Sequence, residues 1–145
     1  MAVSFNYVDI NAIPLANKKR VKDFIIKIFQ LEQLKVSRLA YIFTTDEYVL
    51  SLNRDFLQHD YYTDVLTFDQ SEENGSISGE VYISVPRVKE NSKTEGVLFS
   101  KELLRVMFHA ALHLCGYRDK TKSEITQMRE KEEEYLLLFE KICST

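Results

Sequence analysis

Apolar and polar residues alternate along the chain with two different periods. A period of two residues, which is typical of strands, occurs in four segments. They are Val3–Ile10, Val36–Thr44, Asp64–Phe68 and Ile77–Ser84. Between and after them, apolar residues recur every three to four positions, which predicts helices. The predicted helices are Ala16–Leu31, Asp46–Leu57, a run through Leu103–Leu114 and Lys122–Ile142, with a short one before Gly96.

These elements predict a single α+β domain over residues 1–145, with helices packed on a mixed sheet of about four strands. The run Leu103–Leu114 has apolar residues on more than one helical face, so this helix should be central and buried. We expect Ser100 to cap its N-terminus. Thr121 and Glu124 have the spacing of a capping box and should start the last helix.

Composition narrows the class of protein. No segment approaches the ~20 apolar residues of a membrane span, and the N-terminus lacks the basic start and apolar block of a signal peptide. We therefore expect a cytoplasmic protein without a membrane partner, in which Cys115 and Cys143 are free thiols. The net charge of −3 argues against indiscriminate nucleic-acid binding but permits a local basic patch.

The central helix contains two of the three histidines, His109 and His113, four residues apart. Residues at that spacing share a helical face, so both imidazoles can bind one metal ion. Gly116 follows, and a glycine just past a helix end usually reverses the chain, which can bring Asp119 alongside as a third ligand. Three protein ligands and an open position are typical of catalytic zinc, whereas structural zinc sites usually have four.

Two histidines at this spacing can also be core residues that bind no metal. Burying both without a shared partner is costly, however, and the Gly and acid that follow strengthen the metal interpretation. Ala110 stands where zincin proteases have a glutamate base, which argues against such a protease and leaves the general base unassigned. Asp64 and Glu80 are candidates, although Asp64 also fits a turn or cap and Glu80 a strand edge.

The run from His109 to Asp119 resembles the motif His-Gly-x-Leu-His-Leu-x-Gly-Tyr-Asp-His of the YbeY family of bacterial rRNA maturation factors. Further blocks resemble that family's segments LNxxYRxKDxPTDVLSF and GDIxIS and its later Met-x-x-x-Glu. The matching residues are His109, Leu112, His113, Leu114, Gly116 and Tyr117, with Leu52-Asn53, Asp60, Thr63–Phe68, Gly79–Ser84, Met128 and Glu132.

The resemblance implies a metal-dependent endoribonuclease that acts in ribosomal RNA processing, at the 3′ end of 16S rRNA, and in ribosome biogenesis. Ribosomal RNA and the small ribosomal subunit are the implied partners; the oligomeric state stays open. The family holds zinc with three histidines, and here Asp119 replaces the third and Ala110 the Gly. One Zn²⁺ per chain is expected, although two histidines and a carboxylate also suit Fe²⁺ or Mn²⁺.

Three departures lie in the block that begins at Leu52. Leu57 occupies the position of a family Arg associated with RNA contact, which removes a phosphate-binding fork. His59 replaces a Lys, and Tyr62 replaces a Pro. The lost Arg supports an alternative, a ribosome-associated assembly factor with a structural metal and little nuclease activity. A metal-dependent hydrolase of another substrate is a third possibility.

The expected chemistry is hydrolysis assisted by a metal, which lowers the pKa of a bound water towards ~7. RNA binding also needs local positive charge. The candidates are a cluster beside Asp119, formed by Arg118, Lys120 and Lys122, and the more distant Arg87, Lys89, Lys93 and Arg105. The acidic run Glu130, Glu132, Glu133 and Glu134 is expected to be the solvated face of the last helix.

Overall fold

The structure is a computed structural model that describes residues 2–72 and 75–143. Within these residues, four strands and five helices follow one another and confirm the predicted α+β class. They are β1 (Val3–Tyr7), α1 (Lys18–Leu31), β2 (Lys35–Thr44), α2 (Asp46–Leu57), β3 (Val65–Asp69), β4 (Ser76–Ser84), α3 (Val85–Glu95), α4 (Phe99–Leu114) and α5 (Lys122–Cys143).

The four strands form one mixed sheet in the order β1-β2-β4-β3. β2 runs parallel to both β1 and β4, while β3 pairs antiparallel with β4 at the edge. Every residue from Leu39 to Thr44 in β2 is buried, because strands inside a parallel region are covered on both faces and therefore read as continuous apolar runs.

Helix α4 lies at the centre of the domain, as predicted. Leu103, Met107 and Phe108 have no solvent exposure. The hydroxyl of Tyr41 in β2 donates a hydrogen bond to the Met107 carbonyl at 2.8 Å. At Gly79 in β4, a Cβ would lie only 2.9 Å from the carbonyl oxygen of Phe68 and 3.4 Å from the Leu114 side chain. The close packing there sets the end of α4 against the sheet.

Three local predictions differ from the structure. β1 ends at Tyr7 rather than Ile10, because Asp9 has a positive φ of 61° that no strand continues through. Ser100 does not cap α4: the helix begins at Phe99, its N-cap is Leu98 without a side-chain hydrogen bond, and Ser100 already lies in the first turn. The polar segment before Gly96 is a full helix of 11 residues rather than a short one.

The capping box of α5 is confirmed. The Glu124 amide donates to the Thr121 hydroxyl at 3.2 Å, and the Thr121 amide donates to the Glu124 carboxylate at 3.0 Å. This start places α5 antiparallel to α4 across the short connection that contains Asp119. In the part of the chain that the structure describes, no helix combines the length and apolar character that a membrane crossing needs.

Candidate metal centre

The three predicted metal ligands lie side by side at the end of α4. The Nε2 atoms of His109 and His113 are 3.4 Å and 3.3 Å from the same oxygen, Oδ2 of Asp119. One ligand atom from each residue lies within 4.8 Å of the other two. The imidazole rings meet edge to face with centroids 4.7 Å apart. Two imidazole nitrogens and a carboxylate oxygen therefore face one small volume.

Local backbone geometry produces this convergence. The helical spacing of His109 and His113 places both rings on one face of α4. Gly116 has a φ of 105°, and the amide of Tyr117 donates back to the Leu112 carbonyl at 3.0 Å, which closes the helix and reverses the chain. The predicted reversal thus brings Asp119 to the histidines.

Glu132 on α5 orients His109, a contact that the sequence interpretation missed. Its Oε2 atom lies 2.6 Å from His109 Nδ1. Because a carboxylate only accepts hydrogen bonds, Nδ1 carries a proton, and Nε2, which faces Asp119, is the nitrogen that can bind a metal ion. Glu132 is only 3% exposed, so the expectation that it lies on the solvated face of the helix is wrong.

The burial of Glu132 follows from its position on the apolar stripe of α5. The buried residues of this helix are Met128, Glu132, Tyr135, Leu136 and Phe139. Intervals of four and three residues give Glu132 the same helical face as Met128 and Tyr135. The signal in the sequence was thus an acid at a core-facing position, hidden by its acidic neighbours.

Arg105 neutralises this buried acid. Its Nη1 donates to Glu132 Oε1 at 3.2 Å, its Nη2 bonds to Glu133, and its Nε lies 3.6 Å from Glu102. The Arg105 side chain is 13% exposed and surrounded by three carboxylates. It is therefore unavailable as the free phosphate contact that was expected, because its charge is already compensated.

The surroundings of the site raise the pKa values of two neighbouring groups, His109 and Asp64. Burial opposes protonation of His109, but the Glu132 hydrogen bond and the charges of Glu132, Asp119 and Asp64 outweigh it and raise the His109 pKa. Burial also raises the pKa of Asp64, against the opposing influence of His109 and a hydrogen bond from Asn91 Nδ2 at 3.3 Å. Asp64 thus accepts a proton more readily than an exposed aspartate does.

Two open clefts meet at the metal centre, with volumes of about 360 Å³ and 440 Å³. Both are lined by Asp64, Val65, His109 and Asp119. The first, the α5 cleft, continues between α4 and α5 to Arg129, and the second, the β3 cleft, continues along β3 to Asp69. The His113 side chain is 32% exposed, so an incoming ligand can reach the centre from solvent.

Glu80, the other candidate base, is not brought to this site. Alternation along β4 buries Gly79, Val81 and Ile83 on the face towards α4 and places Glu80 on the opposite face. Its carboxylate accepts a hydrogen bond from Gln70 Nε2 at 3.0 Å. Among the described residues that line the α5 and β3 clefts, Asp64 is present and Glu80 is not.

The predicted basic residues fall into two groups. Arg118, Lys120 and Lys122 are exposed and flank Asp119 in sequence. Arg87 and Lys89 lie on α3, outside both clefts. The Arg87 guanidinium is already paired with Asp46, with Nη2 2.5 Å from Oδ2. The first group also lies outside the lining of both clefts, so its nearness to the metal centre rests on its position next to Asp119 in the sequence.

Comparison with known proteins supports the resemblance. A family model described as Endoribonuclease YbeY matches residues 7–140 of this chain. The chain belongs to the YbeY family. It is therefore a member of a family of hydrolases that act on RNA, which confirms the family predicted from the motifs.

Individual relatives cover nearly the whole chain. A YbeY endoribonuclease from Cytophaga hutchinsonii is 45% identical over 124 residues, which cover 86% of this chain and 87% of the relative. One from Parabacteroides distasonis is 39% identical, with 99% of each chain covered. The solution structure of a Thermotoga maritima protein aligns with a TM-score of 0.63 and 29% identity, covering 91% of this chain and 86% of that one. The fold is thus shared along almost the full length of the chain.

Proposed function

We propose that this chain is a metal-dependent endoribonuclease of ribosomal RNA processing. One observation carries the metal dependence: both histidine Nε2 atoms face a single Asp119 oxygen, at 3.4 Å and 3.3 Å. The name Endoribonuclease YbeY, which the family model and the relatives share, supports the activity.

The residues present fit one divalent ion. His109, His113 and Asp119 would hold it, and Glu132 would supply the supporting hydrogen bond that metal-binding histidines usually have. Zinc is the proposed ion because it suits two nitrogens and one carboxylate oxygen; Fe²⁺ and Mn²⁺ are the alternatives. When bound, the ion would supply Lewis-acid activation of a water and of a phosphate oxygen.

The other residues have three separate roles, which are proton transfer, phosphate binding and orientation of a metal ligand. Asp64 lines both clefts beside His109, and its raised pKa suits a group that takes a proton from the attacking water or ribose hydroxyl. Arg118, Lys120 and Lys122 bind the flanking phosphates through charge. Glu132 keeps the proton on Nδ1 of His109 and so preserves the ring orientation.

The proposed substrate is precursor ribosomal RNA at the 3′ end of 16S rRNA, in the small ribosomal subunit. The proposed location is the cytoplasm. Cys115 and Cys143 are both free thiols, in keeping with a reducing compartment.

A second candidate is an assembly factor with a structural metal and little nuclease activity. Leu57 supports it, because this side chain is 44% exposed where the resemblance places an RNA-contacting Arg. Arg54, one turn earlier on α2, is paired with Asp60 and does not supply a free replacement.

The test combines metal content with cleavage of a structured precursor rRNA. The wild type should bind about one transition-metal ion per chain and cleave, whereas His113→Ala should lose both the ion and the activity. His59→Ala is the control for metal content, because this third histidine is exposed and outside the proposed ligand set. Equal metal in wild type and His113→Ala would contradict the site. Metal without cleavage would favour the assembly factor.

A further inference from the structure

The last turn of α2 and the loop that leads from it to β3 expose several large aromatic side chains. Phe56 is 67% exposed, Tyr61 56% and Tyr62 50%. Exposed side chains of this size bury little apolar surface and contribute little to folding. Their clustering in one short segment of the chain is typical of a surface that contacts another molecule.

The Tyr61 ring is held in place by contacts with His59 and Asn53. The His59 ring stacks on Tyr61 with centroids 5.2 Å apart and planes 20° from parallel. The Tyr61 hydroxyl lies 3.1 Å from His59 Nδ1. The Tyr61 carbonyl accepts a hydrogen bond at 2.9 Å from Asn53, a side chain that is only 1% exposed. The loop is therefore anchored to α2 while its rings face solvent.

Tyr62 is held in a different way. The Arg87 guanidinium carbon lies 4.9 Å from the centre of the Tyr62 ring. That guanidinium is itself paired with Asp46, so the ring rests on a fixed support. Half of the Tyr62 surface remains exposed. A supported and exposed ring loses little conformational freedom when a flat group stacks on it.

The loop leads directly into the metal centre. Thr63 and Asp64, the next residues, line the β3 cleft together with His109 and Asp119. Consecutive Cα atoms are about 3.8 Å apart, so Tyr62 and Tyr61 lie within about 8 Å of the lining residue Thr63 along the chain. These rings are therefore close enough for a strand whose phosphate lies at the metal centre to reach them.

The charge of the loop decides what kind of contact it makes. In the segment from Arg54 to Tyr62 the acids are Asp55 and Asp60, Arg54 is already paired with Asp60, and Leu57 contributes no charge. Phosphates gain little binding free energy on such a surface, because their binding depends on cationic side chains. Bases gain more, since every base has a π face that stacks on an aromatic ring.

We infer that His59, Tyr61 and Tyr62 form a stacking platform for unpaired bases next to the cleaved phosphate of an RNA strand. This inference rests on the proposed function and adds the residues that select single-stranded substrate. The platform accepts any base sequence, because stacking does not read hydrogen-bonding edges. Duplex RNA is excluded, since its bases are already stacked on one another.

The experiment measures binding of a short fluorescent single-stranded oligoribonucleotide in a His113→Ala background, which prevents cleavage. Adding Tyr61→Leu and Tyr62→Leu should weaken binding by roughly 5- to 150-fold for each stacked base that is lost. The salt dependence of binding should stay the same, because no ionic contact is removed. Tyr61→Phe with Tyr62→Phe is the matched control and should retain most of the affinity.

A second probe has the same sugar-phosphate chain without bases. The His113→Ala protein, which keeps both tyrosines, should bind this abasic oligomer weakly. Its affinity should match that of the leucine variant for either oligomer. Equal binding of the two probes, or no loss in the leucine variant, would overturn the platform and leave a protein partner as the occupant of the aromatic surface. Cleavage of precursor rRNA by the wild type tests the proposed function separately. If the wild type cleaves but the leucine variant binds the oligoribonucleotide as tightly as its parent does, the platform alone is rejected.

Discussion

Glu132 is an acid among the apolar residues of α5, and its two carboxylate oxygens have different partners. One oxygen accepts the proton of His109 Nδ1, and the other accepts a hydrogen bond from Arg105. A buried carboxylate needs such compensation, because an unpaired charge inside a protein is strongly destabilising. At the scale of single residues, the metal centre therefore depends on a side chain that would not itself touch the ion.

Glu132→Gln tests this dependence. The amide keeps the shape of the side chain but loses the charge that raises the His109 pKa, so that pKa should fall. Changes in such supporting residues typically reduce metal affinity by about 10- to 100-fold. Competition titration with Zn²⁺ measures the affinity, and NMR titration of His109 measures the pKa. Glu133→Gln is the matched control, since Glu133 also bonds Arg105 but not His109; equal losses in both variants would contradict the orienting role.

Asp64→Asn tests the partly buried aspartate of the site, whose folded-state pKa is raised by burial. A raised pKa means that the stability contributed by protonated Asp64 is complete below the unfolded value of about 4 and is lost as pH rises through the folded value. Asp64→Asn should therefore raise the melting temperature of the metal-free protein at neutral pH, and the gain should disappear in acid. Thermal unfolding at several pH values measures this effect.

The same variant should reduce RNA cleavage by about 10²- to 10⁴-fold if Asp64 takes the proton. Asp69→Asn is the control, because Asp69 is exposed at the far end of the β3 cleft. A melting temperature that is equally raised at all pH values would show that ionisation of Asp64 is not the cause. Unchanged cleavage would remove Asp64 as the base.

At the scale of elements, the short connection between α4 and α5 carries Asp119 and is fastened at Tyr117. The Tyr117 hydroxyl donates to Glu32 Oε1 at 2.7 Å, and the Tyr135 hydroxyl donates to the other oxygen. Burial raises the pKa of Glu32, but both tyrosine hydrogen bonds and the charge of Lys131 outweigh it and lower the pKa overall. The end of α1 thus anchors both α5 and the connection.

Tyr117→Phe should loosen this connection without changing any ligand. A lost hydrogen bond is worth about 1 kcal/mol, so metal affinity should fall about fivefold if that energy holds Asp119 in place. Isothermal titration with Zn²⁺ measures it. Tyr135→Phe removes the companion bond to Glu32 but lies outside the connection, so it should lower stability with less effect on the metal. The opposite order of effects would show that Tyr117 only stabilises the fold.

The basic cluster consists of Arg118 and Lys120 on this connection and Lys122 at the start of α5. Replacing Arg118 and Lys120 with Gln should weaken RNA binding and reduce the log–log salt slope by roughly 0.7 for each lost phosphate contact. Metal content should not change, because a protonated cation has no lone pair to donate. Lys89→Gln with Lys93→Gln on α3 is the matched control. An unchanged slope in the first variant and a reduced one in the control would move the RNA path to α3.

At the scale of the whole molecule, the metal ligands come from α4 and the connection after it, while Glu132 comes from α5 and Asp64 immediately precedes β3. An ion that binds only the folded chain therefore stabilises the packing of all these elements together. At 100 times the dissociation constant this is worth about 2.7 kcal/mol.

Zinc should accordingly raise the melting temperature of the wild type by roughly 5–10 °C, given about 2–4 °C per kcal/mol for a chain of this size. The same concentration should leave His113→Ala unchanged. Thermal unfolding with zinc and then with a chelator measures both. An equal rise in the two proteins would mean that zinc binds elsewhere on the folded chain.

The helix ends and the spacing of the metal ligands were predictable from the sequence, because each depends on residues close by in the chain. The spacing of His109 and His113, the reversal at Gly116 and the capping box at Thr121 each depend on neighbours a few residues away. The four strands and the central helix also follow from hydrophobic period alone. These features sufficed to place Asp119 beside the histidines.

The tertiary structure alone decided which distant side chains meet. Glu132 and Arg105 were expected to be exposed and are instead paired beneath the metal centre, because α5 packs its apolar stripe on α4. Asp64 and Glu80 had equal standing in the sequence, yet strand pairing and alternation turn only Asp64 towards His109. Hydrophobic period determines that a face is buried, whereas the partner of a buried polar group depends on which elements pack together, and no local spacing encodes that.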